Sequence, residues 1–284
     1  GTNSLIADKV GLKMGDYLIT EAGFGSDLGG EKFYDVVCQL GDISPDATVI
    51  VGSIRALKYH GKDMWPFDKE ELEGEDVEAV KAGLENHDQH VKNLQQFGVP
   101  VVVAINKFPE DTEAELQTVL EHYEDEMGIR AAVSRVFEDG GEGGVELAEK
   151  VVDAVENDEA DFEPLYDLED SLKDKMEAVA KNIYGADGVN YVGSAEEDIA
   201  QLEEMGLDEV PVVMSKTFHS LSDEASKKGV PEDWELDVRE LYPSAGAGFV
   251  VALTGDVMTM PGLPARPAAA DMDIDADGTI SGLF

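Results

Sequence analysis

Apolar positions along this chain fall into short continuous runs separated by helical stripes. Runs at about 16–21, 47–54 (ATVIVGSI), 99–106 (VPVVVAIN) and 130–137 (RAAVSRVF) predict strands. Between them, apolar residues recur every three or four positions near 4–14, 31–38, 76–97, 111–126 and 144–156, which predicts helices. VIV and VVVAI are unbroken rather than alternating, as parallel strands covered on both faces require. Strands that alternate with helices make a doubly wound α/β sheet. After the acidic stretch NDEADFE (157–163) the pattern changes: helices near 168–183 and 195–205, a short strand PVVM (211–214), strands at 235–241 and 248–254, then a Pro-rich tail. This places a domain boundary between 108 and 165.

Right-handed crossovers put the C-terminal ends of parallel strands along one edge, where ligands of open α/β sheets bind. Four loops are expected there: 22–30 (AGFGSDLGG), 55–62 (RALKYHGK), 106–109 (NKFP) and 138–144 (EDGGEGG). In DYLITEAGFGSDLGGEKF (16–33) an apolar run enters a loop with Gly23, Gly25, Gly29 and Gly30, and Glu31–Phe33 begin a helix. Such a turn brings backbone N–H groups to an anion; it also serves as an ordinary strand-to-helix connection. The same loops carry Lys32, Arg55, Lys58, Lys62 and Lys107, and the rings Phe24, Phe108 and Phe137. Cations at a shared edge suit an anionic ligand, the plainer reading being lysines paired with neighbouring carboxylates.

Charge changes the picture. The chain has 62 acidic and 21 basic residues among 284, a net charge of −41. Nucleic-acid binding is a poor fit, because phosphate contacts need a basic face. Disorder is excluded by the 43% apolar content and regular strand pattern. At about 1 M salt the Debye length is roughly 3 Å and self-repulsion fades, so the acidity reads as adaptation to a salt-rich cytoplasm. No apolar run approaches the ~20 residues that span a bilayer, and the N-terminus lacks a signal-peptide pattern. It also lacks an initiator Met and reads as a piece starting within a domain. The single Cys38 precludes an internal disulfide and fits a reducing cytosol.

Several motifs are discounted. AINKF (104–108) looks like the guanine-reading loop of GTP-binding proteins, but the position of the required Asp is Pro109. No G-x-x-x-x-G-K-[ST] sequence occurs. DIDADG (273–278) copies half of a calcium loop, but its twelfth position is Phe284 rather than Glu, so a turn is expected. His87 and His90 are spaced i, i+3 without a third ligand and read as a solvated helix face, so no metal is assigned. Cys38 lacks a paired His or Cys and reads as buried and apolar.

TEAGFGSDLGGEKF, ATVIVGSIRALKYHG, GVPVVVAINKFPEDTEAEL, GGEGGVELAEKVV, IYGADGVNY and TGDVMTMPGLP resemble, in order along the whole chain, the C-terminal half of the formate–tetrahydrofolate ligase family. The resemblance implies an incomplete P-loop NTPase-like parallel sheet with flanking helices plus a smaller C-terminal α/β domain, divided as 1–109 and 110–284. It implies an ATP-dependent ligase of one-carbon metabolism that makes 10-formyltetrahydrofolate through formyl phosphate, cytoplasmic and homotetrameric. ATP, Mg²⁺, a monovalent cation (K⁺ or NH₄⁺) and the substrate tetrahydrofolate come with it. The P-loop and formyl-phosphate-binding Arg belong to the N-terminal half, needed in cis or in trans, so no catalytic residue is assigned. The family holds its pterin between a Phe corresponding to Phe108, followed by Pro109, and a Trp at the position of Phe137; Phe for Trp keeps a stacking face but loses the indole N–H. Phe24 and Asp27 lie in a loop resembling one that faces the folate. Gly23, Gly25, Lys32, Arg55, Lys58 and Lys107 are candidates for the anion side, and WPFDKEE (65–71) receives no role. The alternative is a non-catalytic folate-binding or assembly subunit.

Overall fold

The computed structural model describes residues 5–64, 68, 70–255 and 266–282. After α1 (Leu5–Gly11) the chain runs without regular structure, then makes two π-helical turns, Gly25–Gly30 and Phe33–Cys38, and a last turn α2 (Gln39–Gly41). There follow β1 (Thr48–Gly52), α3 (Ile54–Gly61), α4 (Val77–Gln95), β2 (Val101–Asn106), α5 (Glu113–Leu120), β3 (Ala131–Ser134), α6 (Val136–Asp139) and α7 (Val145–Asn157). β1, β2 and β3 form a parallel sheet in that order, with Thr48 opposite Val101 and Val103 opposite Ala131. Val102 and Val103 are both fully buried, so helices cover both faces of the central strand. β3 pairs with β2, so a division of the chain at 109/110 passes between two hydrogen-bonded strands.

The C-terminal region adds α8 (Leu172–Asn182), β4 (Gly188–Tyr191), α9 (Ala195–Glu204), β5 (Val212–Ser215), β6 (Glu235–Ser244) and β7 (Phe249–Thr254). Its sheet is mixed, in order β4-β6-β7-β5: the outer pairs are parallel and β6–β7 antiparallel. β4, the sequence GVNY, is a strand the periodicity does not predict; four residues with a leading glycine carry too little pattern. DIDADG supplies β8 (Asp273–Ile274) and most of the turn that leads to β9 (Ile280–Ser281), with Gly278 at φ 90°. Most of the Pro-rich tail and part of WPFDKEE lie outside the described residues.

One apolar cluster runs through both sheets. Tyr34 stacks on Phe97 with ring centroids 4.2 Å apart and on Phe162 at 5.5 Å. Cys38 is buried as expected, 1% exposed, and burial beside Asp35 and Asp8 pushes its thiol up to about 12. Asn93 Nδ2 donates to the Ile183 carbonyl at 2.8 Å, and the Leu165 N–H to Asp35 Oδ1 at 2.8 Å. Among the described residues no helix is long and apolar enough to cross a membrane.

The strand predicted at 16–21 does not form. Those residues carry no regular structure, with Tyr17 51% and Ile19 89% exposed. An apolar run becomes a strand only beside a hydrogen-bonding neighbour, and the described strands pair only with one another. The strand predicted through 137 stops at Ser134, and Phe137 sits on α6.

Candidate functional site

Three strand exits share one edge of the first sheet. Ser53 leaves β1 and caps α3, its Oγ accepting the Ala56 N–H at 3.3 Å. That puts Arg55 in the first turn of α3. β2 delivers Lys107 and Phe108; the Asp111 carboxylate accepts the Phe108 N–H at 2.8 Å and fixes the FPED turn, with Pro109 exposed at its lip. β3 delivers Arg135, whose N–H donates to the Gly143 carbonyl at 2.9 Å. A Cβ at Gly143 would lie 2.5 Å from the Arg135 carbonyl, so only glycine lets the GGEGG loop close on the strand exit that carries Phe137.

Phe108 and Phe137 meet at this edge, ring centroids 5.9 Å apart and tilted by 48°. The Arg55 guanidinium lies 5.8 Å from the Phe108 centroid and 3.7 Å from Glu110. A flat ring between two others needs about 7 Å, twice the ~3.5 Å of a carbon–carbon contact. The two phenyls, at 5.9 Å, stand closer than that to each other, and Phe137 is 61% exposed.

Three of the cations pair with carboxylates, the plainer of their two sequence readings. Lys58 is 3% exposed and faces inward from α3, a helix where a loop was expected. Its Nζ pairs with Glu115 at 2.6 Å and donates to the Gly74 carbonyl at 2.6 Å. Glu115 also accepts the Asp76 and Thr112 N–H groups at 2.9 and 3.1 Å. Burial would raise its carboxyl, but the Lys58 contact and these two N–H groups hold it below the ordinary range. Lys58 is thus a structural tie. Lys107 pairs with Glu138 at 3.0 Å, and Lys32 with its neighbour Glu31 at 2.9 Å. Arg55, with 40% of its side chain exposed, faces the crevice most openly of these four.

The glycine loop does not extend from a strand. It folds on itself: a Cβ on Gly29 would lie 1.9 Å from the Gly23 carbonyl oxygen, and Gly25 has φ 75°. Asp27, 5% exposed, pairs with Lys216 at 2.6 Å, while Ser26 Oγ is 2.7 Å from His90 Nδ1. Burial lowers the Lys216 ammonium and Asp27 partly offsets it. Phe24, 70% exposed, meets Phe218 edge-on at 6.0 Å. Within the described residues this loop packs on α4 and on the exit of β5 rather than joining the ring pair directly. His87 and His90 are not a solvated face. His87 is 9% exposed, its Nδ1 2.6 Å from Tyr123 Oη, and burial together with His90, His122 and His60 pushes it down to about 3.

Lys216 and Phe218 escaped the sequence reading. They follow the strand PVVM, and the rule applied to the first sheet, that strand exits carry function, would have singled them out.

Comparison with known proteins agrees with the motif series. The family model Formate--tetrahydrofolate ligase matches residues 1–284. The chain is 64% identical over 285 residues to a formate--tetrahydrofolate ligase of Haloarcula marismortui, covering 100% of this chain and 52% of that protein. It is 63% identical over 285 residues to one of Haloquadratum walsbyi, covering 100% and 49%. The chain spans about half the length of these curated relatives.

Proposed function

Because this chain belongs to the formate–tetrahydrofolate ligase family, we propose that it is the tetrahydrofolate-holding half of an ATP-dependent ligase that forms 10-formyltetrahydrofolate from formate through formyl phosphate. The observation that carries this reading is the convergence of Phe108 and Phe137 from different strand exits, 5.9 Å apart. Phe108, on a turn pinned by Asp111, supplies one face for the pterin; Phe137, on α6, swings to cover the other. Enclosure between two rings keeps water from the amine that must take the formyl group. Arg55 beside Phe108 adds a positive charge for an anionic partner. Phe24 and Asp27 serve the folate side through the glycine loop. Of the anion-side candidates, Gly23, Gly25, Lys32, Arg55 and Lys107 remain with the reading, whereas Lys58 is withdrawn.

The residues in hand do not fit the nucleotide. The sequence has no P-loop, Lys58 is buried against Glu115, and no group of three metal-ligating side chains occurs among the described residues. ATP, Mg²⁺ and the monovalent cation therefore belong with the rest of the ligase. Two features support completion by that remaining half. β1 has one neighbour among the described residues, and Val51 on it is 57% exposed. Ile6, Met14 and Ile19 are exposed by 79%, 83% and 89%. Apolar surface of this extent suits burial against more protein. A cytoplasmic homotetramer is part of the same reading.

Residues 1–284 mixed with the N-terminal half of a halophilic relative at molar KCl will make 10-formyltetrahydrofolate, dependent on both ATP and formate. The chain alone will not. Turnover by the chain alone, or a silent mixture of two folded halves, overturns the proposal.

A further inference from the structure

A series of aromatic and cationic groups leads away from the ring pair along α3. Phe108 touches Arg55, whose guanidinium is 5.8 Å from the ring centroid. Tyr59 lies four residues further on, one helical turn up the same face, about 6 Å at 1.5 Å per residue. Lys228 Nζ sits 5.1 Å from the Tyr59 ring centroid and donates to the His219 carbonyl at 2.8 Å. The His219 ring is 3.9 Å from Phe218, which in turn meets Phe24 at 6.0 Å. Arg55 and Tyr59, spaced i, i+4 on α3, thus stand between the Phe108–Phe137 pair and the Phe24–Phe218 pair.

The strip is built from side chains that folding alone does not require to be open. Phe218 is 52% exposed and Phe24 70%. Their neighbours are anchored: Lys216 is held by Asp27 at 2.6 Å and by the Ser220 carbonyl at 2.5 Å. A rigid base carrying exposed rings is a stacking platform rather than a loose patch. Arg55 and Lys228 place two positive charges along it in a chain of net charge −41.

We propose that this strip receives the aminobenzoyl-glutamate arm of tetrahydrofolate, with Tyr59 and Phe218 as aromatic contacts for the aryl ring and with Arg55 and Lys228 facing the carboxylates. The proposal rests on the reading of Phe108 and Phe137 as the pterin slot and extends it to residues that reading does not use. The arm is the part of the substrate with a second aromatic ring and fixed negative charge, which is the chemistry the strip complements.

Tetrahydrofolate and 6-methyltetrahydropterin, which lacks the arm, are titrated into the 284-residue chain at 2 M KCl, with Phe108→Ala, Tyr59→Leu and Phe218→Leu beside the wild type. Leucine keeps apolar volume and removes the ring, and thermal melts confirm that each variant is folded. Tyr59→Leu and Phe218→Leu should each weaken tetrahydrofolate about three- to tenfold, the size of one lost ring contact, and leave the pterin unchanged. Phe108→Ala should weaken both ligands. If both leucine variants bind tetrahydrofolate like wild type while Phe108→Ala loses it, the strip is wrong and the slot stands. If Phe108→Ala changes neither ligand, or the wild type binds neither, the slot fails and the strip with it. Equal losses of both ligands in the leucine variants also overturn the strip, since they would report disturbance of the slot.

Discussion

Lys58 shows what a residue's neighbours do to its apparent role. It stands in a basic stretch, RALKYHGK, yet α3 turns it inward onto Glu115, a partner 57 positions away at 2.6 Å. The Glu115 carboxyl is held below its ordinary range when folded. Its contribution to stability is therefore present above that range, about 4.3 in free peptides, and is lost as pH falls through the depressed value. Lys58→Met removes the counter-charge and leaves a buried carboxylate, at a cost of about 3–5 kcal/mol at pH 7. Without the lysine, burial dominates and pushes the carboxyl up, so acidification relieves the variant. Denaturant melts of wild type and Lys58→Met should differ most near pH 7 and converge toward pH 4. A gap independent of pH would remove the ion pair from the account.

At the scale of elements, α3 and α4 pack by glycine. A Cβ on Gly83 would lie 1.9 Å from the Leu57 carbonyl oxygen, and one on Gly61 equally close to that of Ala79. Gly83→Ala is normally helpful inside a helix, worth up to about 1 kcal/mol. Here it must push two backbones apart, and a net loss of about 1–3 kcal/mol is expected, read as a lower denaturation midpoint with an unchanged m-value. An unchanged or raised midpoint would show that the helices slide without cost. The elements themselves were largely legible. β1, β2 and β3 follow from VIV, VVVAI and AAVS, and α4 and α5 begin at side chains suited to capping, Asp76 and Thr112. What the pattern could not supply was pairing. YLI at 17–19 is as apolar as many strands, but no strand pairs with it among the described residues. β4 has almost no pattern and forms because β6 is its neighbour. The ring pair was legible through the family motifs; the exit of PVVM marks Lys216 and Phe218 as candidates, but their pairing with the glycine loop, Asp27 to Lys216, spans nearly 190 residues and no local pattern carries it.

Over the whole molecule, 62 acidic residues against 21 basic ones leave repulsion that only ions relieve. Paired cations such as Arg130, which bridges Asp153 at 2.8 Å and Asp158 at 2.5 Å, neutralise a small part of it. Lowering KCl from 1 M to 0.1 M lengthens the Debye length from about 3 to about 10 Å, so each surface carboxylate feels many more of its kind. The melting temperature of the chain should fall steadily over that range. A chain equally stable at both concentrations would show that the acidity is not held in check by salt.

The lone sulfur of Cys38 gives this protein a natural gauge of its own breathing. At 1% exposure, and with burial and two carboxylates keeping it protonated, it is hidden from alkylating reagents unless the interior around Tyr34 and Phe97 parts. Since the chain offers no other thiol, the pace of iodoacetamide uptake counts those openings directly. Any ligand or partner that clasps the first sheet should slow it.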